Sequence, residues 1–324
     1  MRALVTGGAG FVGSHLVDHL LTAGSEVLVI DDFSTGRREN TAAWGEAVRV
    51  VDGDIRDAGL LDGEIGTFRP DRAFHLAAQA DVRKAIADPA FDASVNVLGT
   101  INLLEAIRGL PDGCPVVFAS TGGAIYGEGA GKRLPLDESA DLAPETAYGA
   151  SKLTGEIYLS YYRRLYGMSA AALRFGNVYG PRQDPHGEAG VVAIFCGRLL
   201  EGRAPTVFGN GRQTRDYVYV SDVVDAIVAA GERLTAEGRD LEGPFNVGTG
   251  IEGSVLDLIE GLAAVSGRGV EPEFAPARTG EVERISIDPA AAADGLGWSP
   301  RIGLEEGLRQ TWAAFAEASE AVES

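Results

Sequence analysis

The chain has 324 residues, enough for one large domain or two smaller ones at roughly 150 residues each. Apolar residues make up 45% and charged residues 23%, which excludes a disordered chain and a coiled coil. The 47 acids against 28 bases give a net charge of −19, a field that repels phosphate backbones and argues against nucleic acid as a partner. A few placed arginines can still hold a small anion. No run approaches the ~20 apolar residues of a membrane span. The N-terminal apolar stretch is broken at once by Thr6-Gly7-Gly8, unlike a leader peptide. Cys114 and Cys196, the two cysteines, could form one bridge at most, too little to scaffold a chain of this size. These readings predict a cytoplasmic protein with no membrane partner and no metal.

In chain order, residues 2–6 and 25–30 read as strands rich in Val, Leu and Ile. Between them residues 11–23 carry Val12, Leu16, Val17, Leu20 and Leu21 at helical spacing. Further strands are predicted at 47–51, 73–76, 116–119 and 170–175, each pair separated by room for a helix. That alternation predicts an α/β fold whose parallel sheet is covered on both faces, a doubly wound arrangement. The second half is less regular and richer in Gly, Pro and Arg. Residues 317–324 are acidic and predicted to fray.

The first strand runs directly into Gly7-Gly8-Ala9-Gly10-Phe11-Val12-Gly13, and a helix follows. Glycines there permit a tight turn and let backbone N–H groups approach a pyrophosphate at the helix N-terminus. Asp31, at the end of the second strand, is placed to accept hydrogen bonds from a ribose diol and to repel a 2′-phosphate. The reading is therefore a dinucleotide site preferring NAD over NADP, with Asp32 able to share the role of Asp31. Arg37 and Arg38 are the counter-evidence, since nearby arginines can accept a 2′-phosphate; a solvated loop is their simpler reading.

Tyr148 and Lys152 stand four apart at the start of an amphipathic run, so they share a helix face. An ammonium beside a phenol lowers the phenol pKa from ~10, and the phenolate can then take a proton from a sugar hydroxyl. With nine tyrosines and lysine only at 84, 132 and 152, this pairing is improbable by chance. A third member belongs at the carboxyl end of a central strand, where Ser120 and Thr121 each offer a hydroxyl.

Several of these segments resemble the UDP-glucose (UDP-galactose) 4-epimerase family of extended short-chain dehydrogenase/reductases. The likeness covers almost the whole chain. It rests on Thr6 to Gly13, His75-Leu76-Ala77-Ala78, Asn96, Ser120 to Gly127, Tyr148 with Lys152, Arg174 to Arg182, Arg215 to Val220 and Phe245 to Gly250. The resemblance implies a Rossmann-type NAD-binding domain over 1–175, joined by part of 216–247, and a smaller mixed α/β UDP-sugar-binding domain over 176–324. It implies a triad of Thr121, Tyr148 and Lys152, with Ser120 as an alternative hydroxyl and a substrate contact. Implied cofactor contacts are Gly7, Gly10, Phe11, Val12, Gly13, Asp31, Asp32, Phe33, Asp54, Ile55, Leu76, Ala77, Ala78 and Asn96, besides Tyr148 and Lys152. Implied sugar-nucleotide contacts are Asn177, Val191, Val192, Thr206, Val207, Phe208, Arg215 and Arg278, and Ile285 beside the sugar C2 substituent.

The chemistry so implied is oxidation and re-reduction of a UDP-hexose at C4 through a 4-keto sugar, an isomerisation with NAD recycled. UDP-glucose and UDP-galactose are the leading pair. Ile285 leaves little room for an acetamide, and Asp184, placed by the resemblance near C6, repels a uronate unless Arg182 intervenes. UDP-glucuronate and UDP-GlcNAc epimerases are the near alternatives, and a NAD-sensing protein with a decayed site is the alternative of another class. A homodimer is implied, drawing on Ile101, Leu104, Ile107, Ile157, Leu159, Tyr161 and Leu165, whose periodicity cannot separate core from interface.

Overall fold

The computed structural model describes the chain except residues 130, 187–189, 237–240, 242, 270, 278–281 and 324. The first half comprises β1 (Arg2–Thr6), α1 (Phe11–Thr22), β2 (Glu26–Asp31), β3 (Val48–Asp52), α2 (Ala58–Phe68), β4 (Arg72–His75), α3 (Val82–Ala87), α4 (Pro89–Ala93), α5 (Gly99–Arg108), β5 (Val116–Thr121), α6 (Gly122–Ile125), α7 (Ala147–Tyr166) and β6 (Ala170–Phe175). The second comprises β7 (Asn177–Tyr179), α8 (Val191–Leu200), β8 (Thr206–Phe208), β9 (Thr214–Arg215), β10 (Tyr217–Tyr219), α9 (Val220–Ala236), β11 (Phe245–Val247), β12 (Gly253–Ser254), α10 (Val255–Ser266), β13 (Glu273–Ala275), α11 (Ala290–Leu296) and α12 (Leu304–Glu323). The predicted strands fall where the apolar runs placed them, within two residues at each end. The exception at its own end is the strand from Val116, which continues to Thr121 and so includes Ser120 and Thr121.

Seven strands form one parallel sheet in the order β11-β6-β5-β4-β1-β2-β3. Successive side chains point to opposite faces, so both faces must be buried for such apolar strands to be stable. One face carries Ala3, Val5, Val27, Val29 and Phe74 against Leu16 and Val17 of α1 and Val223, Ile227 and Ala230 of α9. The other carries Leu4, Leu28, Ile30 and Phe118 against Leu61 of α2, Leu103 and Ile107 of α5 and Leu159 of α7. Each such side chain, fully buried, contributes ~1.5–3 kcal/mol. A third apolar cluster joins Phe195 and Leu199 of α8, Leu258 and Leu262 of α10, Leu308 of α12 and the short strands through Val207, Tyr179 and Tyr217.

The strand order reverses between β1 and β4, so the carboxyl ends of those two strands diverge into a crevice. Between α4 and α5 the chain widens into one π-type turn, Ser94–Leu98, which carries Asn96 to that same crevice. No helix among the described residues is long and apolar enough to cross a membrane.

Candidate active site

Gly7 begins the crevice. Its φ is +72°, and a Cβ there would lie 2.6 Å from the Ala77 nitrogen and 2.9 Å from the Leu76 carbonyl carbon. The turn after β1 therefore touches the loop after β4 backbone to backbone. Gly13 is equally constrained, since its Cβ would sit 2.1 Å from the Gly7 oxygen. Gly10 caps α1 with no side-chain hydrogen bond, so the first-turn N–H groups of Phe11, Val12 and Gly13 face outward unclaimed by a cap. A positive helix end with a glycine floor fits a pyrophosphate.

Asp31 ends β2 and is 6% exposed. Its carboxylate accepts from the Ala9 and Phe33 backbone N–H groups, both at 2.9 Å. Burial nevertheless holds its pKa above the usual carboxylate range. Asp32 is exposed and bound to Ser34, so Asp31 is the acid facing the crevice floor. The two arginines that complicated cofactor choice have partners. Arg37 pairs with Asp184 at 2.6 Å, while Arg38 pairs with Asp52 and lies 4.0 Å over the Phe33 ring. The first of these pairs also bears on Asp184. Its charge is partnered by Arg37 beside the loop after β2 rather than left bare, which weakens the argument that it repels a uronate.

Of the remaining cofactor candidates, Asp54 is chelated by Arg56, which lowers its pKa, and Ile55 is buried under Gly99. Leu76, Ala77 and Ala78 line the crevice as partly exposed residues. Asn96 is 1% exposed, and its amide is spent on protein: Oδ1 accepts from the Gln79 N–H, and Nδ2 donates to the Gln79 carbonyl and to Asp92. It holds the β4 loop in place. A second chain of bonds runs from the Ala77 N–H to Thr6 Oγ1, on to His75 Nδ1, and from His75 Nε2 to Thr100 Oγ1 and the Asn96 carbonyl. Because Thr100 donates to that carbonyl, the network requires the proton on Nε2. Burial lowers the His75 pKa to about 3, so the ring is neutral.

On the other side of the crevice stand the catalytic candidates. Gly149 lets the start of α7 press on α6, where a Cβ would meet the Ala124 oxygen at 2.5 Å. Gly155 likewise lets α7 lie against Phe118 of β5. Tyr148 is thereby held, partly exposed, beside the turn that follows Thr121. Ser120 and Thr121 point to opposite faces and differ in availability. Ser120 is 3% exposed and donates to Glu156, which is also bound in bidentate fashion by buried Arg174. Thr121 is partly exposed and faces the crevice, near Gly123 and Asn177 Oδ1.

The expected depression of the phenol pKa is not found. Burial, with a through-space contribution from Asp92, pushes the Tyr148 pKa up. The Lys152 ammonium donates to the Ala119 carbonyl at 2.8 Å and lies 4.8 Å from the Phe118 ring. Burial lowers the Lys152 pKa to about 8.

The sugar-nucleotide candidates divide by what their side chains touch. Asn177 stands at the crevice beside Gly123, and its N–H donates to the Asp216 carbonyl. Val192 and Val207 point into the third apolar cluster, so only their backbone can reach a ligand. Val191, Thr206, Phe208 and Arg215 are partly exposed. Ile285 is 1% exposed, packed with Ile125, Tyr126, Leu136 and Ile287. Arg278 lies outside the described residues. Sequence reasoning missed Asp92, Gln79, Ser151, Glu156 and Asp216, the last a buried carboxylate that accepts from Thr249, Gly250 and Ile287 and so fixes that loop beside Asn177. An acid within a helical stretch carries no signal of its own.

Residues 3–248 match the model of the NAD dependent epimerase/dehydratase family. The chain belongs to that family. Its glycine turn, Asp31 and neutral cradle suit NAD, the cofactor that the family's description names. Among the relatives of this epimerase/dehydratase chain is the UDP-glucose 4-epimerase of Mycolicibacterium smegmatis, 47% identical over 322 residues, covering 99% of this chain and all of the relative. Solved structures with the same fold include the UDP-glucose 4-epimerase of Thermotoga maritima with UDP-glucose, with a TM-score of 0.91 and 41% identity over 98% of this chain and 100% of that one. The Thermus thermophilus UDP-glucose 4-epimerase in complex with NAD gives a TM-score of 0.89 and 44% identity at the same coverages.

Proposed function

We propose that this protein is a UDP-hexose 4-epimerase that interconverts UDP-glucose and UDP-galactose, with NAD as a recycled cofactor. The observation that carries the reading is the meeting of two halves at one edge of the sheet. The glycine turn after β1 touches the loop after β4, and the next strand, β5, ends in Thr121 and runs into α6, on which the start of the Tyr148–Lys152 helix packs. The relatives named above support the choice of hexose.

When bound, NAD supplies the redox chemistry at the sugar C4 and a cationic ring that favours the Tyr148 phenolate. The chain does the rest. The backbone of Gly7 and Gly10 to Gly13 holds the pyrophosphate, and Asp31 accepts from the adenosine ribose. Tyr148 takes the proton of the C4 hydroxyl and later returns it. Thr121, whose hydroxyl is free of the Glu156–Arg174 pair that occupies Ser120, donates to the sugar oxygen. Lys152, anchored on Ala119, keeps its positive charge near the reacting oxygen. Asn177, Thr206, Phe208, Arg215, Arg278 and the backbone of Val191, Val192 and Val207 hold the UDP, where planar, permanently charged guanidinium groups suit a diphosphate. Ile285, buried with Ile125, Tyr126, Leu136 and Ile287, backs the wall near C2 and offers an acetamide no hydrogen bond. The NAD-binding half ends near residue 175, with part of 216–247 returning to it.

The same reading makes the protein a homodimer of the cytoplasm. Leu104, Ile107 and Leu159 are buried within one chain, whereas Ile157, Tyr161 and Leu165 on α7 are 58%, 40% and 59% exposed and Leu98 is 49% exposed. That residue of apolar surface supports a helical contact with a second copy. Cys114 and Cys196 are free, buried thiols, which suits a reducing compartment. Incubating the protein separately with UDP-glucose, UDP-GlcNAc and UDP-glucuronate, with products resolved by NMR, tests the function. UDP-galactose is expected from the first alone, and turnover of UDP-glucuronate at tenfold higher kcat/KM than UDP-glucose would overturn the assignment.

A further inference from the structure

The catalytic helix is tied to the cofactor crevice through one side chain. Asp92, on α4, is completely buried. Its Oδ2 accepts from Ser151 Oγ at 2.6 Å, one residue before Lys152. Its Oδ1 accepts from Asn96 Nδ2 at 3.0 Å and Gln79 Nε2 at 3.1 Å. Asn96 in turn clamps both backbone groups of Gln79, and the Gln79 side chain closes on the Asp81 backbone. Every donor to Asp92 among the described residues is neutral: none is a guanidinium or an ammonium. A carboxylate taken out of water is costly to keep without a cation, so a merely structural joint would be better served by an amide. The charge acts through space on both members of the pair, favouring the Lys152 ammonium and opposing the Tyr148 phenolate.

We propose that Asp92 is a positioning residue for the catalytic pair, a buried carboxylate that clamps the Tyr148–Lys152 helix to the loop after β4 and supplies a negative charge that favours the Lys152 ammonium. The proposal rests on the epimerase reading only for the pair's use in catalysis. The other groups facing Lys152 are accounted for. Glu156 on α7 also favours the ammonium but is paired with Arg174 of β6, His75 of β4 is neutral, and β5 contributes the Ala119 carbonyl and the Phe118 ring. Asp92 is therefore the one carboxylate acting on Lys152 that lacks a cationic partner among the described residues.

Lysine occurs only at 84, 132 and 152, which makes the ionisation directly observable. In holoprotein labelled with 13Cε-lysine, three signals titrate, and Lys152→Met identifies the one from Lys152. An anion favours the charged ammonium, so removing it lowers the midpoint. Asp92→Asn should move the Lys152 midpoint down by about half a unit or more. Ser151→Ala cuts the clamp but keeps the charge; it should leave that midpoint in place, lower kcat for UDP-glucose severalfold and leave KM unchanged, with Ser151→Thr restoring the rate. Asp92→Ser is a second charge-removing variant should the asparagine disturb folding. An unmoved Lys152 midpoint in either folded charge-removing variant overturns the proposal. Because the titration needs no substrate, its outcome is separate from whether the wild-type protein epimerises UDP-glucose.

Discussion

Gly7→Ala tests whether the turn after β1 and the loop after β4 form one rigid cofactor floor. Two costs add at this position. An alanine forced to φ near +72° loses about 1–2 kcal/mol to the left-handed conformation. Its Cβ would also sit 2.6 Å from the Ala77 nitrogen and 2.8 Å from its Cα, both backbone atoms held by the Thr6–His75–Thr100 chain, and relieving such overpacking costs about 1–3 kcal/mol. A total near 3 kcal/mol corresponds to a Tm lower by about 4 °C for a chain this long. Gly24→Ala is the matched control, with φ +74° and nothing within 4 Å of the added methyl, so it bears the conformational cost alone and should lose only about 1.5–3 °C. Differential scanning calorimetry gives both Tm values, and chromatography of cofactor released on denaturation gives the NAD content. Gly7→Ala should lose bound NAD severalfold while Gly24→Ala retains it. Equal melting temperatures and equal NAD content in the two variants would refute the shared floor.

Other outcomes follow from the same geometry. Tyr148→Phe keeps the ring and should lower kcat by about 10²–10⁴-fold with NAD still bound; near-normal turnover would remove Tyr148 from the mechanism. Thr121→Val should lower kcat by about 10²-fold, whereas Ser120→Ala should act mainly on stability, by about 1 kcal/mol, because its partner is Glu156; the reverse ranking in steady-state kinetics contradicts the choice of hydroxyl. Asp31→Ala should weaken NAD retention and relax discrimination against NADP, measured by titration of cofactor-free protein; unchanged NAD preference would show that another group reads the ribose. Ile157→Asp with Leu165→Asp should convert a dimer to a monomer in light scattering, and a wild-type monomer at micromolar concentration would contradict the interface.

Much of this arrangement is written locally. Strands such as Glu26–Asp31 sit between two covered faces, so they read as continuous apolar runs, and the glycine turn needs only its immediate neighbours to be recognised. What escapes is set by distant partners. Phe245–Val247 is three residues long with Asn246 at its centre, and it is a strand because β6 pairs with it and the Tyr126 hydroxyl donates to Asn246 Oδ1. The course of Lys152 depends on the Ala119 carbonyl, a partner on another strand that helical spacing could not show. The choice between Ser120 and Thr121 required the Glu156–Arg174 pair, 36 and 54 residues from Ser120 in sequence. Core and interface positions on α7 share one periodicity and separate only when neighbouring elements are in place.

The central claim is that the same hydrogen leaves C4 of the sugar and returns to it within one closed site. UDP-glucose carrying deuterium at C4, incubated with the protein in ordinary water, tests it most directly by NMR of the product. The account predicts UDP-galactose that keeps the deuterium at C4, with no net change in the NAD bound to the protein. Loss of the label to solvent, or no UDP-galactose from protein that holds NAD, would contradict it.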